Sequence, residues 1–145
     1  MGSEPGEVIG IWIELLVGEQ QSLFAMLAAD GTINRMGSGL VDASDTVMYI
    51  GRTDPKLFEE LRSTIDPSLT QFLGRSLSDP RPQGTPCSLR IGLAHADGRE
   101  AVTAWRYGTD SQGPHPAVAE FVREALRITE PWLQGQKARR RLGES

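Results

Sequence analysis

One cysteine (Cys87), two histidines (His95 and His115) and two lysines are all that the 145 residues hold of those types. A single thiol excludes an internal disulfide, and with only two histidines beside it no Cys/His zinc set can be assembled, so neither a disulfide framework nor a bound metal is expected. No apolar run approaches the roughly 20 residues that span a bilayer. The start, Met1-Gly2-Ser3-Glu4-Pro5-Gly6-Glu7, is acidic where a secretory signal is basic. The expectation is a soluble, cytoplasmic chain with no membrane partner. Sixteen glycines are present, but neither of the common phosphate-cradling glycine patterns occurs, and no cofactor is implied.

The length corresponds to one domain. Before Gln134 stand 11 basic and 18 acidic residues, a body of −7; beyond it Lys137, Arg139, Arg140 and Arg141 against Glu144 sum to +3. Such a body repels nucleic acid and anionic membrane, which leaves nucleic-acid contact to the basic tail alone. Residues 135–145 read as a disordered tail behind a domain of residues 1–134.

Val8 to Val17 is rich in β-branched residues and apolar on both period-2 faces, the pattern of a well-buried strand. Ser22 to Ala29 and Thr32 to Arg35 flank Asp30-Gly31, and Ser88 to Ala96 and Arg99 to Tyr107 flank Asp97-Gly98. Asp-Gly between such runs marks a two-residue hairpin turn, in which both central residues take positive φ. Gly37 to Asp45 is a loop and Thr46 to Ile50 a further strand. Asp54-Pro55 and Asp66-Pro67 each set a carboxylate before a proline, which predicts two short helices with stripes Leu57, Phe58, Leu61, Ile65 and Leu69, Phe72, Leu73, Leu77. Ser78 to Pro86 carries three prolines and breaks the chain at its middle. A last helix starts at His115-Pro116, carries Val118, Phe121, Val122, Ala125 and Leu126, and precedes Thr129-Glu130-Pro131-Trp132.

The two hairpins resemble each other. Ser22-Leu23 through Leu27-Ala28-Ala29-Asp30-Gly31 matches Ser88-Leu89 through Leu93-Ala94-Ala96-Asp97-Gly98 at seven of ten aligned positions if His95 is an insertion, and the following helices share Pro55/Pro116, Glu59/Glu120 and Arg62/Arg123. Order kept over this length predicts a duplicated strand-strand-helix unit, residues 22–77 and 88–133. The unmatched His95 then belongs at a bulge or a register shift. The plan resolves into an α+β fold: one two-layer domain, a mostly antiparallel sheet with helices on one face.

Taking Asp97-Gly98 as the turn pairs His95 with Glu100 and Arg90 with Trp105. A histidine oriented by a carboxylate is half of a general-base arrangement. No nucleophile is placed beside it, and a polar pair at the rim of the core is the plainer reading. His115 is the other weak catalytic candidate, read as a loop or capping residue, and Cys87 is read as a small buried apolar side chain. Asp30, Asp54, Asp97 and Asp110 all sit where turns and caps favour aspartate. The same register sets Trp105 over small neighbours with Arg90 to stack on it. Trp105, Arg90 and Arg106 thereby become the expected interaction residues and Trp12 the buried comparison. With no convergent reactive set, the sequence points to a non-catalytic protein-interaction or regulatory module, with homodimerisation open to it. The alternative is a small-molecule-binding protein or weak enzyme with its pocket between helices and sheet.

Overall fold

A computed structural model describes residues 7–37, 47–72, 74–111 and 113–143. Seven strands form one open sheet in the order β4-β3-β2-β1-β6-β7-β5: β1 (Val8–Val17), β2 (Gln20–Ala28), β3 (Thr32–Gly37), β4 (Tyr49–Arg52), β5 (Ser76–Ser78), β6 (Pro86–His95) and β7 (Glu100–Gly108). All neighbours are antiparallel except β5 and β7. Helices α1 (Lys56–Arg62) and α2 (Pro67–Thr70) follow β4, and α3 (Pro116–Gly143) closes the chain. The fold is a single α+β domain.

Alternation decides which side is covered. Ile11 and Ile13 on β1, Leu23 and Leu27 on β2, Ile33 on β3, Leu89, Ile91 and Leu93 on β6 and Trp105 on β7 share one face. They pack against Phe58, Leu61 and Leu69 of the short helices and Val118, Phe121, Ala125 and Ile128 of α3. Among the described residues the other face carries no helix.

Both Asp-Gly hairpins form, with a different turn from the one expected. Gly31 donates to the Ala28 carbonyl and Gly98 to the His95 carbonyl. The Asp30 and Asp97 carboxylates accept from Thr32 and Arg99 two residues on. Only the glycines have positive φ, +94° and +90°. A turn followed by one left-handed glycine is a three-residue hairpin loop. The extra residue slips β6 against β7 by one, so Leu89 faces Trp105 and Ala94 faces Glu100, and every β7 side chain changes face relative to the expected register.

The hairpins lie on opposite sides of β1, and only the first is followed by a further sheet strand, β4, before its helices. With identical turns, a hairpin that extends the other way must present the opposite set of its residues to the helices. Core-facing Leu27 stands three positions before its turn aspartate, core-facing Leu93 four before its own. The two hairpins thus differ by one residue between core leucine and turn aspartate, with His95 in that interval on β6. The β1–β6 ladder is irregular there, Val8 pairing with His95 and Gly10 with Ala94, so the extra residue, Ile9, lies on β1.

Three other segments differ from expectation. The second helical stripe is not one helix: α2 ends after one turn at its Gln71 cap, Gly74 turns the chain with φ +78°, and Leu77 pairs in β5 beside Trp105. The final helix runs through Pro131 to Gly143, so residues 135–143 continue α3 rather than form an irregular tail; beyond the proline Trp132 lies against Gly51 and packs on the core, and Leu133 is buried. The strand expected at Thr46–Ile50 is observed at Tyr49–Arg52, and the loop expected from Gly37 falls outside the described residues apart from Gly37 itself, which ends β3.

Candidate interaction face

The helix-free face is ordered by register. Ile50, Asn34, Met26, Trp12, Gly92 and Val102 stand side by side from β4 to β7. Ile50 is 70% exposed and Val102 36%, while Trp12 and Met26 are half-buried. The next row runs Met36, Phe24, Glu14, Arg90 and Ala104.

Trp12 is the centre of this face. Its ring lies flat over Gly92, where a Cβ would come within 2.1 Å of the indole, and its Nε1–H donates to Glu100 at 3.2 Å. The Arg90 guanidinium stands 5.8 Å from the ring centre and is bonded to Glu14, which also accepts from Gln21 Nε2 at 2.8 Å. A cation over an indole face is attracted by the ring quadrupole. The aromatic and the arginine are thus held by separate carboxylates.

Arg90 therefore stacks on a tryptophan, but on Trp12. Trp105 is 6% exposed on the helix side, edge-on to Phe72 with ring centres 5.7 Å apart. The one-residue slip turns Trp105 to the helix side, while alternation on β1 sets Trp12 on the helix-free side. The slip also parts His95 from Glu100: His95 is buried on the helix side at the end of β6, whereas Glu100 lies on the helix-free side. His115 caps α3, its Nδ1 accepting from the Ala117 amide at 3.1 Å, with its ring 5.0 Å from that of Phe72. Cys87 is buried between Val17 and Tyr107, and desolvation raises the pKa of its thiol. Arg106 is exposed on the helix-free face between Ser88 and Ser78. The turn and cap aspartates do what they were expected to do at Asp30, Asp54 and Asp97, each accepting from the amide two residues on.

Sequence reasoning missed Arg35. Only 1% exposed beneath α3, it donates to Thr129 Oγ1 at 2.8 Å and to the Gly37 carbonyl at 3.2 Å, and it pairs with half-exposed Glu130 at 3.3 Å. Among the described residues its Nε has no partner, and desolvation lowers its pKa against the opposing pull of Glu130. The signal was its place in Ile33-Asn34-Arg35, two residues from a core isoleucine and so on the same face.

Among the described residues no three His, Cys, Asp or Glu side chains gather as a metal site, and no helix is long and apolar enough to cross a membrane. No protein-family model matches the chain, and no curated protein aligns with it significantly.

Proposed function

We propose that this protein is a non-catalytic interaction module that self-associates through the helix-free face of its sheet. The observation that carries the proposal is the in-register belt of Ile50, Met26, Trp12 and Val102, with Trp12 and Arg90 fixed before any partner arrives. Tryptophan and arginine dominate interface hot spots, and ordering them in advance removes part of the entropy cost of binding.

Charge and shape favour a second copy as the occupant. The chain is net negative, so two copies repel over most of their surface. On this face, however, Glu14 is paired with Arg90 and Glu100 accepts from Trp12. Beside Trp12 lies a floor of small residues, Gly10 with Ala28 on one side and Ala94 on the other. A ring and a floor on one patch suit a two-fold contact, in which each is used twice. In the same reading the hairpins are copies of one ancestral unit, with His95 the insertion that let the second extend the other way.

Sedimentation of the wild type, Trp12→Ala and Val102→Glu tests this. The proposal requires a concentration-dependent dimer in the wild type and its loss in both variants, with unfolding midpoints little changed. A dimer that survives both substitutions places the contact elsewhere. The small-molecule reading is favoured by one feature, the cavity at the end of β7.

A further inference from the structure

Independently of self-association, we propose that the cavity beside Arg106 is a binding site for a small singly charged carboxylate carried on an apolar body. Arg106 stands in register with Ser88 of β6 on one side and Ser78 of β5 on the other. Side chains in one row point to the same face, and neighbouring strands are only about 4.8 Å apart. The result is a guanidinium flanked by two hydroxyls. Among the described residues none of the three side chains has a hydrogen-bonding or ionic partner, so the row offers a set of unused donors.

Over this row lies a cavity of about 460 Å³, lined also by Gly18, Pro82, Gly84, Pro86 and Asp79. That volume is in the ordinary range for small-ligand pockets, about 300–1,000 Å³. Its roof is the proline-rich segment between β5 and β6, fastened to the turn after β7. The Gln83 amide donates to Ser111 Oγ at 2.7 Å and its carbonyl accepts from Asp110; the Thr85 amide donates to Thr109 Oγ1 at 3.0 Å. Gly84 is required there, with φ +85° and Thr109 Oγ1 only 2.3 Å from where a Cβ would stand. A roof tied at three points is ordered before binding, which lowers the cost of closing on a ligand.

The donor set selects the head group. A guanidinium bonds a carboxylate through two parallel N–H donors, and the serines can each add one more. Asp79, whose Oδ1 accepts from the Arg81 amide at 2.9 Å, lines the same space and repels further negative charge. A doubly charged phosphate is thereby disfavoured, and the proline walls accommodate an apolar body.

The test is amide NMR titration of the full chain with benzoate, with benzamide and inorganic phosphate as comparators. Benzoate is expected to shift the amides of the non-proline residues among 79–88, and that of Arg106, saturably, and to bind more tightly than either comparator. Arg106→Gln should weaken benzoate roughly tenfold or more, the scale of a charge-assisted hydrogen bond, and Ser88→Ala a few-fold. Trp12→Ala should leave the affinity unchanged, which separates this site from the dimer face. The proposal is overturned if benzoate shifts nothing saturably, if benzamide or phosphate binds as well, or if Arg106→Gln has no effect.

Discussion

The Arg90 guanidinium stands 5.8 Å above the centre of the Trp12 ring while bonded to Glu14 from the neighbouring strand. Arg90 comes from β6, and Trp12 and Glu14 come from β1 on the same face. Removing Glu14 would free the arginine and a side chain in place of Gly92 would lift the ring, so the cluster depends on both.

The first prediction separates the tryptophans by stability. Trp105→Ala empties a core site and should cost about 3–5 kcal/mol. Trp12→Ala removes a half-buried ring and should cost about 1 kcal/mol. Urea unfolding midpoints of the two variants decide; equal losses would contradict the face assignment of one or the other.

The hairpin glycines give a second contrast. Gly31 and Gly98 both have positive φ, but a Cβ on Gly31 would stand 2.4 Å from the Thr53 carbonyl, whereas one on Gly98 meets nothing within 4 Å. Gly98→Ala should cost about 1–2 kcal/mol, the left-handed penalty alone. Gly31→Ala should cost clearly more, because the Thr53 amide bond to the Gly31 carbonyl must yield as well. Similar melting temperatures for the two variants would contradict this.

Arg35 yields a third. A buried guanidinium with an unpartnered Nε gives up hydration that its bonds only partly replace. Arg35→Met, similar in length and free of polar atoms, should lie within about 1 kcal/mol of the wild type, while Arg35→Ala leaves a cavity and should lose about 2–4 kcal/mol. If methionine costs as much as alanine, the ion pair contributes net stability.

The fourth concerns alkaline pH. Burial first, and the nearby Cys87 second, push the Tyr107 phenol up to about 12 from its ordinary 10. The folded state therefore holds a proton that the unfolded chain releases. The contribution is fully present below pH 10 and is lost as the pH rises towards 12. Wild-type denaturation midpoints should fall more steeply over that interval than those of Tyr107→Phe; parallel curves would contradict the shift.

The long strands, both hairpins and the helices after Asp54 and Asp66 were legible because alternation and capping are local. The face of β7 was not. It turned on whether the loop holds two residues or three, and Asp-Gly serves both, so one residue of loop moved Trp105 into the core. Strand β5 was hidden because Leu77 keeps helical spacing from Leu69, while its partner Trp105 lies far along the chain. The run of α3 past Pro131 was hidden because the packing of Trp132 and the burial of Leu133 outweigh a missing amide. For Arg35, alternation pointed inward, but nothing local announced Thr129 and Glu130 as its partners.

Fluorine NMR of the chain labelled with fluorotryptophan tests self-association through Trp12 most directly. Three resonances arise, from Trp12, Trp105 and Trp132, and that of Trp12 is assigned by its loss in Trp12→Phe. On concentrating the protein from micromolar to millimolar, the Trp12 resonance should move or split while those of Trp105 and Trp132 stay fixed. A Trp12 resonance unchanged across that range would contradict the assignment of the helix-free face as the self-association surface.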